Sequence, residues 1–207
     1  MTTTMLYRLA GLAALIAGLS FAIVGVFHPA NVAASVTTSA WVIVHIFALA
    51  LSVLGFYGLT GLYLRQVEES GWLGFIGYAM LTLWLAIVLG FTFVEVFILP
   101  PVATASPALV EGFVGMFTSA ASTIDLGILP TIWNISGVLY LLGAIVFGVA
   151  TFRAGVLPKW AGALLALGGL AGPAAVRFPP SMTGFVAIPV GIAIAWLGWA
   201  LWSEKRA

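Results

Sequence analysis

Apolar runs about twenty residues long recur along this chain, and that is the length a helix needs to cross roughly 30 Å of hydrocarbon. They read as spans at Leu6–Phe27, Trp41–Leu64, Trp72–Leu99, Pro130–Phe152, Trp160–Val176 and Gly184–Trp202. A transmembrane barrel would alternate apolar with polar residues and turn about every ten residues; that pattern is missing. Of the 207 residues, 63% are hydrophobic and only 6% charged. Soluble domains carry about a quarter charged residues, so these residues cannot clothe a water-exposed surface. The expected fold is an all-α membrane protein, one transmembrane domain over 1–207 with a bundle of about six helices.

The basic residues orient it. Arg8, Arg65, Arg153, Lys159, Lys205 and Arg206 flank the spans on one side, and Arg177 alone falls on the other. An excess of Lys and Arg in short loops marks the cytoplasmic face, giving both termini inside. The first span reads as a retained helix, because the apolar stretch Leu9–Phe27 outruns a usual leader. No cysteine is present, which removes disulfides and thiolate chemistry. No basic cluster suits nucleic acid. Membrane lipids are the expected partners, and other membrane subunits are candidates.

The largest extramembrane piece is Pro100–Leu129. Within it Ser106 and Pro107 read as an N-cap and first helical residue. A short helix Pro107–Phe117 should then lie on the outer surface, its Leu109, Phe113 and Phe117 side against the bundle. Glycines three apart at Gly55, Gly58, Gly61 and at Gly71, Gly74, Gly77 predict tight packing of the second and third helices on each other. An echo at an offset of 88 residues carries Leu51, Leu54, Gly55, Arg65, Trp72 and Gly74 onto Leu139, Leu142, Gly143, Arg153, Trp160 and Gly162. A repeat of two parallel hairpins would produce it.

Polar residues are few, so each can be placed by a rise of about 1.5 Å per residue from its inner marker. His28 lies twenty residues from Arg8, and His45 twenty from Arg65, each about 30 Å up. Asn134 and Arg177 come to roughly 27–29 Å, and Glu95 to about 35 Å from Trp72. One polar layer near the outer boundary results, drawn from five helices. It reads either as a set of boundary residues or as an outer pocket built from His28, Trp41, His45, Glu95, Asn134 and Arg177. Pro173 and Pro189 would kink two helices there and open space. Glu95, set in the run Phe91–Leu99 that is otherwise apolar but for Thr92, should face the interior, toward His45 or Arg177. His28, His45 and Glu95 are candidate zinc or iron ligands, and the two histidines weaker haem ligands. Glu95 with His45 is also a candidate acid–base pair. No cofactor is assigned by any motif. Beyond Arg8, the inner two-thirds of every span lacks Asp, Glu, Lys, Arg and His, which argues against a transmembrane proton relay.

The stretches Gly155–Leu170 (GVLPKWAGALLALGGL) and Ala195–Trp202 (AWLGWALW) resemble the C-terminal half of uncharacterised bacterial six-helix membrane proteins of the domain-of-unknown-function type. That resemblance implies a bacterial inner membrane and carries over no site residue. Three functions fit the sequence. The first is an accessory or scaffolding subunit of a larger complex. The second is a binding protein or enzyme holding a lipid, quinone, pigment or metal in the outer pocket. The third is a small facilitator of an apolar solute.

Overall fold

The computed structural model describes residues 2–174 and 184–204, with the main chain alone at 173 and 174. Every long regular element among them is helical: α1 (Thr3–Phe27), α2 (Ala33–Val36), α3 (Ser39–Arg65), α4 (Val67–Phe93), α5 (Leu99–Val102), α6 (Pro107–Met116), α7 (Leu129–Ala154), α8 (Lys159–Ala174) and α9 (Ala187–Ser203). A π-helical turn, Val94–Ile98, joins α4 to α5 without a break in direction.

Five stretches are long and apolar enough to span a membrane: Thr3–Phe27, Ser39–Arg65, Val67–Val102, Leu129–Ala154 and Gly184–Ser203. The expected span Trp160–Val176 corresponds to α8. Its 16 described residues rise about 24 Å, and its expected end at 175–176 lies outside the described residues. Ser39, Val67 and Leu129 open their helices within a few residues of the expected starts.

Helices pack in chain order around a closed ring: α1 on α3, α3 on α4, α4 on α7, α7 on α8, α8 on α9, and α9 back on α1. Leu59, Leu62, Leu81, Phe147, Leu165, Leu197 and Leu201 fill the ring's axis and are almost wholly buried. A void of about 10 Å³ between Leu51, Leu85 and Ile194 is too small and apolar for stable water. The outward faces carry Leu, Ile, Phe and Trp side chains, as lipid contact requires.

One end of the ring gathers the cations. Tyr7 donates to the Leu64 carbonyl at 3.2 Å, and Arg65 grips the Glu204 carboxylate with Nη2 at 2.7 Å from Oε1. Gln66, closing α3, donates to the Thr151 hydroxyl of α7 at 2.9 Å. These contacts hold Arg8, Arg65, Arg153 and Lys159 at the same end; Lys205 and Arg206 lie outside the described residues.

The glycine stripe differs from the one expected. Gly58 and Gly61 face Ala14 and Ala10 of α1 and Gly77 faces Phe147 of α7, while Gly55 meets Leu85 of α4 and Gly74 meets Tyr63 of α3. Gly71 belongs to no stripe, since its φ of 52° breaks the first turn of α4. The tightest seam joins α1 to α9, where Gly11, Gly18 and Gly25 oppose Gly198, Gly191 and Gly184. A methyl at Gly11 would stand 2.8 Å from the Gly198 carbonyl oxygen, and one at Gly25 2.6 Å from that of Gly184. The two backbones therefore touch, which small residues alone permit.

The short helix in the long loop is present as α6, with Pro107 at its start and Phe117 at its C-cap. Its packed face is shifted from the expected one. Val110, Phe113, Val114 and Met116 are buried while Leu109 is exposed, because the helix rests on Val36, Phe91, Leu99 and Trp133. Pro189 does not kink α9: it sits in the first turn, where a helix leaves its N–H groups unbonded anyway.

Candidate functional site

At the end opposite the cations, α3 and the π turn bring two ionisable side chains together inside the protein. Thr38 caps α3 by accepting the Trp41 N–H at 3.2 Å. One turn later the His45 Nδ1 hydrogen-bonds the Trp41 carbonyl at 2.7 Å. Trp41 is 0% exposed, His45 1% and Glu95 6%. The His45 Nε2 stands 3.4 Å from Glu95 Oε1 without forming a hydrogen bond.

The sequence around Glu95 dictates its backbone. Pro100 and Pro101 have no N–H, so an α-helix running through them would leave the Val96 and Phe97 carbonyls without donors. The chain adopts the wider turn, and the Leu99 N–H bonds five residues back, to the Val94 carbonyl. That releases the Glu95 carbonyl from its usual Leu99 partner. The indole of Trp41 takes it up, Nε1 donating to Glu95 O at 3.0 Å. Trp41 thus ties α3 to the π turn by one hydrogen bond and fixes His45 by another. Such turns are frequent at functional sites.

His28 completes the cluster. It follows the last turn of α1, where Pro29 stops the helix, and its Nδ1 bonds the Pro29 carbonyl at 2.7 Å. Its ring lies edge-on to His45 with centroids 4.9 Å apart, and 5.8 Å from the Trp41 ring. Trp41 and His45 are themselves tilted by 30°, with centroids 4.2 Å apart. Burial, and after it the charge of His45, holds the His28 imidazole below the usual histidine range.

A carbonyl oxygen only accepts, so both Nδ1 atoms carry their ring's proton. Each neutral ring then presents Nε2 as a bare lone pair. For His45 that nitrogen stands 3.4 Å from the Glu95 carboxylate oxygen.

Four of the six candidate residues, His28, Trp41, His45 and Glu95, are therefore neighbours. Asn134 is not among them: its side chain is exposed on α7, on the face that carries Ile135 and Val138. Arg177 lies outside the described residues. Asn31 was not expected, and its Oδ1 is buried with no hydrogen-bond partner in the segment that follows His28. Thr92, 3% exposed, lies one turn before Glu95. Asp125 stays in its loop, where Oδ1 accepts the Gly127 N–H at 2.7 Å. Among the described residues no group of three His, Asp or Glu side chains is positioned, as it stands, to hold a metal ion.

No family model, no curated protein and no solved structure matches this chain. The chemistry of the cluster is therefore the whole basis for a functional reading.

Proposed function

We propose that this is a polytopic protein of a bacterial inner membrane, six spans with both termini cytoplasmic, that binds the polar head of an amphiphile at its outer end. A lipid, isoprenoid or quinone head group is the class of ligand meant. The observation that carries the reading is the His45–Glu95 pair, buried at 1% and 6% exposure and 3.4 Å apart. A purely structural subunit has little use for it. Apolar side chains of similar volume stabilise a buried position as well or better than an ion pair, and ionisable groups within membrane segments mark sites. The same pair can move a proton at a bound head group, which is what acid–base chemistry needs.

Its surroundings favour an amphiphile. Half-buried His28 reaches from the pair toward the loop segment, while Phe91, Phe113, Phe117 and Trp133 form an aromatic roof beside it. A polar point within an apolar, aromatic wall is the usual make-up of a small-molecule site. The site's height, about 30 Å from the basic end, matches the head-group level of the opposite leaflet. The six-to-one basic split supports the orientation.

Mass spectrometry of the full chain purified in mild detergent tests this. Wild type should retain a stoichiometric amphiphile that the folded Glu95→Gln protein loses. Equal lipid content in both would remove the reading and favour the scaffolding one, as would a wild type that carries only bulk lipid and co-purifies with fixed partners. A reporter fused after Trp202 should score as cytoplasmic; a periplasmic score would reverse the orientation.

A further inference from the structure

We infer that the head group taken up at His45 and Glu95 is a primary amine, held as its ammonium ion by hydrogen bonds to the imidazole nitrogen and the carboxylate. This rests on the outer end being a head-group site, and it names the chemistry that the site selects.

The first support is the kind of polar atom on offer. The His45 Nδ1 gives its proton to the Trp41 carbonyl at 2.7 Å, which leaves Nε2 of the neutral ring an acceptor. That nitrogen is buried and has no hydrogen-bond partner. An ionised carboxylate only accepts, and among the described residues the Glu95 carboxylate has the His45 ring alone for a polar contact, at 3.4 Å. His28 repeats the pattern. Its Nδ1 bonds the Pro29 carbonyl at 2.7 Å, so its Nε2 is an acceptor too, on a ring 4.9 Å from that of His45. Buried acceptors without donors are destabilising, and a ligand that brings N–H groups relieves them.

The second is charge. Arg8, Arg65, Arg153 and Lys159 stand at the opposite end, whereas Glu95, Glu111 and Asp125 belong to this one. The sequence adds a single cation on this side, Arg177, so carboxylates still outnumber basic groups here. A carboxylate within a membrane segment is costly to keep ionised by itself. A cationic head supplies the counter-charge; a phosphate would meet like charge, and a quinone carbonyl would add one more acceptor.

The third is the geometry as it stands. Charge-assisted hydrogen bonds run to about 2.7–2.9 Å, so one nitrogen can lie at that distance from both Nε2 and Oε1, which are 3.4 Å apart. Two of its N–H groups then meet their acceptors at about 150°, within the favoured range. A hydroxyl has one hydrogen and cannot serve both. The Glu95 side chain is 9% exposed and that of His45 2%, an opening that suits the small NH3+ group and excludes a bulky trimethylammonium. Neither the His45–Trp41 bond nor the π turn is disturbed by such a ligand.

Amphiphiles sharing a dodecyl tail test the head group on the full chain in maltoside detergent. Labelled dodecylamine should bind saturably to wild type. Unlabelled dodecylamine should displace it at least about tenfold more effectively than dodecanol, dodecyltrimethylammonium or dodecyl phosphate. Glu95→Gln keeps the shape and removes the charge, so it should weaken dodecylamine by about tenfold or more and leave dodecanol unchanged. The wild-type series stands whether or not the variant folds. Equal displacement by all four heads overturns the inference, as does tightest binding of dodecyl phosphate or a folded Glu95→Gln protein that binds dodecylamine as wild type does. A natural amphiphile retained by wild type and lost from Glu95→Gln, beside unselective dodecylamine, would overturn the amine alone. Equal lipid in both proteins with no saturable dodecylamine would bring down the site itself.

Discussion

Trp41 shows how much one side chain carries here. Its carbonyl fixes the His45 tautomer, and its indole satisfies the carbonyl that the π turn frees at Glu95. Trp41→Phe keeps the ring and removes the donor, leaving a buried carbonyl unpaired. That should cost about 1–3 kcal/mol, read as a lowered unfolding temperature in detergent; an unchanged temperature would mean the turn does not depend on the indole. A rise of about 1.5 Å per residue puts His28, His45 and Glu95 near one level from the sequence alone. It also put Asn134 there, wrongly for a site, because rise gives height and says nothing of the angle around the helix axis. The angle is set by which face packs, and the exposed α7 face took Asn134. The Leu-Pro-Pro signal behind the π turn lay in the sequence too: two consecutive residues without N–H groups must strand two carbonyls upstream.

Among the elements, the α1–α9 seam is where backbone geometry is least forgiving. Gly18 lies against Gly191 and Ala195, so Gly18→Val should force the helices apart and destabilise by about 3 kcal/mol or more, an overpacking cost at the upper end of the usual range. Gly90 is the control. It lies in α4 with open space where its side chain would be, so Gly90→Ala should stabilise by about 0.5–1 kcal/mol through helix propensity alone. Chemical or thermal unfolding of the two proteins checks both signs, and equal effects would mean the seam is not close-packed. Spans and loops were readable because run length and charge position are one-dimensional. The partners of the glycines were not. A spacing of three drifts around a helix, so Gly55 turns to α4 while Gly58 and Gly61 turn to α1. The seam itself repeats every seven residues on two helices at opposite ends of the chain, and it shows only when they are laid antiparallel. The face of α6 followed the same rule, with the aromatic floor beneath it choosing Val110 and Val114 over Leu109.

At the scale of the whole molecule, the ring divides its labour. A filled apolar axis and glycine seams supply cohesion, the Arg65–Glu204 and Gln66–Thr151 contacts tie helix ends at the basic end, and the far end concentrates the buried titratable groups. The echo between the α3–α4 and α7–α8 hairpins is not repeated in these contacts, since Gly55 meets Leu85 of its own hairpin whereas Gly143 meets Leu81 of the other. Only one hairpin carries the histidine and the carboxylate. The central claim is that His45 and Glu95 are kept together for what they bind and not for holding the ring. Breaking a buried pair from one side strands the other group, at about 3–5 kcal/mol, whereas replacing both with apolar residues is often neutral or stabilising. The unfolding temperature of the His45→Leu/Glu95→Leu double variant, set beside the two single variants, tests that claim most directly. The double variant should unfold at or near the wild-type temperature, well above either single one. A double variant as unstable as either single one would show that the pair itself holds the ring together.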